Sequence, residues 1–241
     1  MNQNRQKVVA LLPMKAHSER VRNKNFRDFN GKPLFRWILD ALFSIPTISE
    51  VVINTDARLI LAEHGLTDSA RVRIRDRKPE ICGDFVSMNK VLEDDVANVA
   101  ADVYVMTHTT NPLLSAETIR RALERFESAC VKGEGDSLFT VKKFQTRFYR
   151  QDGSPVNHDP MNLVRTQDLE PWFEENSNLY IFTKESFART NARIGSRPVL
   201  FEMPKAESID IDDQEDWDLA LAVAKAGESS RRSADKSVRL A

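Results

Sequence analysis

Cysteine is scarce. The 241 residues contain two, Cys82 and Cys130, far apart and neither in a Cys-x-x-Cys pair, which argues against a disulfide framework and against a zinc site. A reduced, cytoplasmic protein is the simplest expectation. Charge of one sign is also missing: 35 Lys and Arg against 36 Asp and Glu leave a formal net charge of −1. No bulk field favours nucleic acid or an anionic membrane surface as a partner. No apolar run approaches the roughly 20 residues needed to span a bilayer, and the opening residues MNQNRQK hold no apolar signal core. The expected protein is soluble and intracellular. Glycine is absent where nucleotide sites often use it: the first loop carries neither a Walker A nor a dinucleotide fingerprint.

Cations stand there instead. Val8 to Leu12 is a short apolar run with the pattern of a buried parallel strand. The loop that follows carries Lys15, Arg20, Arg22 and Lys24 interleaved with Ser18 and Asn25, before Gly31-Lys32-Pro33 opens a helix. Charge alone is equally compatible with a solvated basic loop. Position decides, because a loop leaving the carboxyl end of a strand in an open α/β sheet lies where such sheets bind ligands. Charged and hydroxyl side chains there suit phosphate oxygens, so side chains more than bare backbone are expected to hold a polyphosphate.

The length suits one sizeable α/β domain with a small appended lobe. Helical spacing covers Pro33 to Ile45, a second strand Glu50 to Asn54, a helix begins near Thr55-Asp56, and Val72 to Ile74 reads as a short strand. Ser87 is an expected N-cap for a helix to Val99. Asp102 to Thr107 is a strand, and Ser115 opens a helix to about Ala129. This alternation predicts a mainly parallel sheet with helices on both faces. The pattern then changes: Ser137 to Lys143 and Thr146 to Arg150 read as extended, Asp152-Gly153 as a hairpin turn, and the polar stretch to Glu175 as an inserted lobe, about 140–178. Asn178 to Thr183 and Val199 to Met203 read as strands flanking a helix over Lys184 to Asn191. Asp213 to Ala226 reads as a terminal helix with Trp217, Leu219, Leu221 and Val223 on its apolar face. Residues 1–6 are expected to be flexible, 7–226 to form the domain, and 227–241 to be a disordered tail.

A second chemical signal is ESIDIDDQEDWD, Glu207 to Asp218. Read as a strand, Ser208 to Asp212 places Ile209 and Ile211 on one side and both Asp210 and Asp212 on the other. Two carboxylates on one face suit Mg²⁺ held jointly with substrate phosphates; the alternative is an exposed acidic strand end. Asp213, Glu215 and Asp216 suit the first turn of the following helix instead. A cationic loop with a paired-carboxylate site fits nucleotide chemistry.

These residues, with others in matching order from about Val8 to about Ala226, resemble the sugar-acid cytidylyltransferases, most closely the N-acylneuraminate cytidylyltransferases. Lys15 to Arg20, Lys24-Asn25 and Gly31-Lys32-Pro33 resemble the family's N-terminal motif; Asn54-Thr55-Asp56 its Ser-Thr-Asp; Arg77-Lys78-Pro79-Glu80 its Arg-Pro-x-Glu loop; Thr110-Asn111-Pro112-Leu113 its Thr-Ser-Pro-Leu element. Arg165-Thr166-Gln167-Asp168, Glu175-Asn176 and Tyr180 resemble the sugar-side pattern, and Ser208 to Asp212 is similar to the metal-binding Ser-x-Asp-Ile-Asp. The resemblance implies a Rossmann-like nucleotidyltransferase fold with an inserted dimerisation lobe and a homodimer. It implies CTP with Lys15, Ser18, Arg20 and Lys24 on its phosphates, Asn25 near ribose or phosphate, and Arg77 with the Ser87 region on the base. It implies Mg²⁺ on Asp210 and Asp212, Lys24 stabilising developing charge, Asp210 helping to remove a proton, and His108, Arg165, Gln167 and Tyr180 toward a 2-keto sugar acid. Arg165 and Gln167 would serve their own chain or a neighbour.

The departures concern the sugar more than the reaction. Lys15 stands where Arg is usual, Glu19 where Lys is usual, His108 where a Gln is common and Ser177 where a Gly is common. Tyr180 also reads as partly core, and His64 carries no expected role. The competing readings are the same chemistry on a Kdo-type, legionaminic or pseudaminic acid, a GT-A-type glycosyltransferase using the Asp pair, and a nucleotide-binding subunit with a decayed site.

Overall fold

The computed structural model describes the backbone of residues 6–238 and the side chains of residues 6–227. Its elements in chain order are β1 (Val8–Leu11), a small hairpin β2 (Asp28–Phe29) and β3 (Lys32–Pro33), α1 (Leu34–Phe43), β4 (Ile48–Thr55), α2 (Arg58–Glu63), β5 (Val72–Asp76), α3 (Met88–Asn98), β6 (Val103–Thr107), α4 (Ala116–Val131), β7 (Ser137–Phe144), β8 (Trp172–Phe182), α5 (Lys184–Thr190), β9 (Pro198–Glu202) and α6 (Gln214–Val238).

Seven strands form one sheet in the order β5-β4-β1-β6-β8-β7-β9. β1 pairs in parallel with β4 and β6, β4 with β5, and β7 with β9; β8 alone runs against its neighbours. Period-two alternation sorts the side chains of β1 into two cores. Val8 and Ala10 pack with Phe35, Ile38 and Leu39 of α1 and Ile119 and Phe126 of α4. Val9 and Leu11 pack on the other face with Leu92 and Val96 of α3 and Phe187 of α5. The chain steps outward from β1 through β4 to β5, then returns to place β6 on the opposite side of β1. That reversal opens a crevice at the carboxyl ends of β1 and β6, the usual ligand position in such sheets.

A third core decides what sits over the crevice. Val21 of the loop after β1, Phe29, Leu34 and Ile211 pack against Trp217, Ala220 and Ala224 of α6. The Phe29 and Trp217 rings meet edge to face with centroids 5.3 Å apart, and burial of each ring contributes roughly 2–3 kcal/mol. The C-terminal helix thereby clamps the cationic loop. Its buried stripe runs through Trp217, Ala220 and Ala224, and Leu219, expected on that face, is 55% exposed. α6 runs on to Val238, through most of the stretch expected as a tail. Residues 1–5 and 239–241 lie outside the described residues.

The inserted segment departs most from expectation. β8 begins at Trp172 and not at Asn178, because Trp172 to Glu175 pair with Val141 to Phe144 in a two-stranded ribbon beyond the body of the sheet. Residues 172–175 are exposed, so no hydrophobic period marks them. The expected strand Thr146 to Arg150 reduces to one bridge, Tyr149 with Pro155, across the Asp152-Gly153 turn. Among the described residues no further strand covers this region; Phe148 instead stacks on Trp172 with centroids 5.3 Å apart.

Candidate active site

Lys15, Ser18, Arg20, Lys24, Asn25, Arg77 and His108 all line one cleft of about 440 Å³ at the crevice between β1 and β6. The loop after β1 is braced on several sides. The Ala16 N–H donates to Asp56 (2.7 Å), the Asn25 amide donates to the Lys15 carbonyl (2.8 Å), and the Thr109 hydroxyl donates back to Asn25 Oδ1 (2.6 Å). Lys15 Nζ reaches Asp84 Oδ1 at 2.5 Å across the cleft. A larger depression of about 710 Å³ lies on the outer side of this loop around Arg22, Arg27 and His64. It shares Arg20 with the cleft but not Lys15, Lys24 or Arg77, so of the four loop cations Lys15, Arg20 and Lys24 converge on the smaller one while Arg22 lines the larger.

Lys24 is buried, and its Nζ donates to the Ile211 carbonyl at 2.6 Å. Desolvation lowers its pKa from the usual lysine value, against the opposing pull of Asp212 and Asp210. Arg20 pairs with Asp212 at 2.9 Å. Both cations therefore reach the acidic segment before α6. That segment is not the expected strand: Lys205–Ser208 is a 3₁₀ turn, and the residues after it have no sheet partner. One backbone bond, Ile211 N–H to Thr110 carbonyl (2.9 Å), ties it to the end of β6. Extended backbone preserves the alternation without a ladder, so Ile211 enters the third core while Asp210 faces the other way, onto Thr110. Asp216 accepts from the Asp212 and Asp213 N–H groups (3.0 and 3.2 Å), the helix-start role expected of it.

Asp210 Oδ1 is buried without a hydrogen-bond partner, and burial raises the carboxyl's pKa above its usual value. An orphaned, desolvated carboxylate oxygen beside a second carboxylate fits a hard cation. Among the described residues no three or more His, Cys, Asp or Glu side chains converge as a metal cage. A two-carboxylate site suits Mg²⁺, which commonly completes its shell with water and phosphate oxygens.

Arg77 is held edge-on. Its Nε donates to Asn54 Oδ1 (2.9 Å) and its Nη2 to the Asn54 carbonyl (2.7 Å), while the Asn54 amide donates to Asp95 (2.8 Å). Asp95 is fully buried, bonded also to Arg75, and desolvation pushes its pKa up to about 6. Ser87 does not line the cleft; its hydroxyl accepts from Asn89 N–H (3.3 Å) as the N-cap of α3, and Phe85 and Met88 supply the wall there.

His108, at the end of β6, is kept neutral: burial, with the Arg193 and Lys24 charges, pushes its pKa down to about 3. Tyr180 is buried, as its apolar strand suggests, and its hydroxyl bonds Glu175. Arg165 and Gln167 are not brought to the cleft. Both are exposed in the inserted segment, with Arg165 on Asp168 at 2.7 Å. Ser177 has φ of +56°, inside the β7–β8 ribbon where the register shifts; a left-handed residue there explains the glycine expected by resemblance. Asp95, Thr109 and Arg193 are site residues that sequence reasoning missed, and Asn54 stands there only in the Asn54-Thr55-Asp56 element, without its role of holding Arg77. The first three share no motif, only tertiary proximity.

A mainly parallel sheet carrying a cationic cleft at its switch point defines the class of Rossmann-like nucleotidyltransferases. The same fold is seen in CMP:2-keto-3-deoxy-manno-octonic acid synthetase complexed with CTP, with a TM-score of 0.62 at 14% identity over 92% of this chain and 99% of that one. It is seen again in 4-diphosphocytidyl-2C-methyl-D-erythritol synthase from Anaerococcus prevotii, with a TM-score of 0.63 at 11% identity over 91% and 96%. The chain belongs to the cytidylyltransferase family, whose model matches residues 9–226. It is 25% identical to N-acylneuraminate cytidylyltransferase of Streptococcus agalactiae serotype V over 88% of its own length and 52% of that protein's. It is 28% identical to that of Oncorhynchus mykiss, over 88% and 49%. The chain thus spans about half the length of these relatives. Pseudaminic acid cytidylyltransferase of Campylobacter jejuni serotype O:2 is 23% identical over 93% of this chain and 99% of that protein.

Proposed function

We propose that this protein activates a 2-keto sugar acid, sialic acid or a related nonulosonic acid, with CTP to give the CMP-sugar and pyrophosphate. The observation that carries the reading is the meeting of Lys24 with the Asp210–Asp212 segment at the mouth of the β1–β6 crevice. Lys15, Ser18 and Arg20 bind the polyphosphate, Asn25 bridges toward ribose, and Arg77, locked by Asn54, presents a fixed edge to the base. Asp210 and Asp212 hold Mg²⁺, which when bound neutralises phosphate charge. The acceptor's anomeric oxygen attacks the α-phosphorus, the bond to the β-phosphate oxygen breaks, and the hydroxyl proton passes to Asp210. Lys24 stabilises charge as pyrophosphate leaves. Pseudaminic acid is the second acceptor to test, because the full-length match to the Campylobacter protein favours it. We propose further that the protein is cytoplasmic and acts as a homodimer through the inserted segment, so that Arg165 and Gln167 reach a neighbour's cleft.

Pyrophosphate release from CTP with a panel of nonulosonic and Kdo-type acids tests this, with ATP, GTP and UTP as controls. Release with CTP and one acid, abolished by EDTA and restored by Mg²⁺, is expected. Absence of CTP binding by the folded protein would overturn the nucleotide assignment.

A further inference from the structure

Beside His108, one guanidinium has no role in the scheme above. Arg193 lies in the loop between α5 and β9. Its side chain is 17% exposed and lies over the Tyr180 ring, 3.7 Å from the centroid. Its Nη2 is 3.3 Å from Glu175 Oε1 and its Nη1 is 3.5 Å from His108 Nε2. Its own N–H donates to Asn89 Oδ1 at 3.2 Å, beside Met88. Met88 and His108 both line the cleft, and Arg193 adjoins it through His108 and through Asn89, the neighbour of Met88.

Two features separate this arginine from an ordinary structural ion pair. Charge-assisted N–H···O bonds usually close to about 2.7–2.9 Å; both of its side-chain polar contacts are longer. The guanidinium is thus positioned by stacking, with its planar fork unsaturated by its partners. The backbone under it is also fixed in advance. Asp136 accepts from the Ser196 and Arg197 N–H groups (3.2 and 2.9 Å), Ser137 Oγ accepts from Gly195 N–H (2.8 Å), and a Cβ on Gly195 would meet Asp136 Oδ1 at 2.4 Å. A rigid loop presenting a stacked, under-coordinated fork is suited to a planar anion.

We propose that Arg193 binds the carboxylate of the acceptor acid, with Tyr180 as the platform beneath the guanidinium and His108 beside it. The inference rests on the sugar-acid reading above and deepens it. Phosphate is provided for by Lys15, Arg20 and Lys24, which leaves the acceptor's own charge to be matched here. His108, kept uncharged by burial, adds no second cation beside Arg193.

The test measures steady-state kinetics of wild type, Arg193→Gln and Arg193→Lys with CTP and the acid that wild type turns over. CTP binding by calorimetry and thermal melting serve as controls for folding. Arg193→Gln is expected to raise the KM for the acid at least ~30-fold with the KM for CTP within about 2-fold, and Arg193→Lys to show an intermediate rise, because it keeps the charge and loses the fork. Replacing the acid's carboxylate by a carboxamide is expected to cost wild type ~100-fold in kcat/KM and Arg193→Gln almost nothing further. An unchanged acid KM in Arg193→Gln overturns the inference alone. So does a rise in acid KM seen in Arg165→Gln but not in Arg193→Gln, which would put the carboxylate on the inserted segment. If Arg193→Gln does not fold, an unchanged acid KM in Arg193→Lys overturns it. Wild type that binds CTP and turns over no acid overturns the sugar-acid reading and this inference together.

Discussion

At the scale of single residues, burial sets what the site can do. Lys24 carries its charge in a desolvated position because a carbonyl and two carboxylates face it. Its replacement by Met is expected to lower kcat/KM by roughly 10²–10⁴ while CTP binding persists, checked by initial rates and calorimetry. Since its pKa is lowered, its proton leaves sooner as pH rises; turnover should fall on the alkaline side below the usual lysine range, and Lys24→Arg should abolish that fall. Asp95 is the opposite case. Its folded pKa, about 6, lies above the unfolded value of 3.8, so its contribution to stability is full below the unfolded value and is lost as pH rises through about 6. The stability of wild type relative to Asp95→Asn should therefore fall by on the order of 3 kcal/mol from about pH 4 to pH 7, measured by denaturant unfolding. Neither shift is visible in a sequence, where Lys24 is one of several loop cations and Asp95 one acid on a helix.

Elements were the most legible level. The short apolar run of β1, the helical spacing of α1 and the serine caps of α3 and α4 declare themselves because each depends on local chemistry, and each forms within a few residues of expectation. The ribbon half of β8 did not, because exposed pairing leaves no hydrophobic period; the segment after the 3₁₀ turn at Lys205–Ser208 keeps its alternation but has no sheet partner, which no local pattern announces. Ser87 shows how a correct element reading separates from a site reading. As the N-cap of α3, its replacement by Ala should cost about 1 kcal/mol of stability. The KM for CTP should stay within about 2-fold, since the hydroxyl is spent on Asn89. A large rise in that KM with unchanged melting would return Ser87 to the nucleotide site.

For the whole molecule, the inserted segment is the feature a single chain does not explain. Met161, Leu163, Trp172 and Phe173 are between 40% and 93% exposed along it, and a second copy covering them is the proposed assembly. Sedimentation at micromolar concentration should give a dimer for wild type and a monomer for Leu163→Glu with Trp172→Glu; a wild-type monomer would count against it. No helix among the described residues is long and apolar enough to cross a membrane. The sequence by itself determined the alternation of strands and helices, the cationic loop after the first strand and the carboxylate pair near the last helix, because strand period, capping and charge are local properties of neighbouring residues. Only the tertiary structure decided that Lys24 meets the Ile211 carbonyl across 187 positions, that Asp95 orients Asn54 against Arg77, and that Arg193 stacks on Tyr180 beside His108. Those contacts follow from the crossover that places β6 beside β1 and from the packing of α6 over the loop, and no spacing along the chain encodes them.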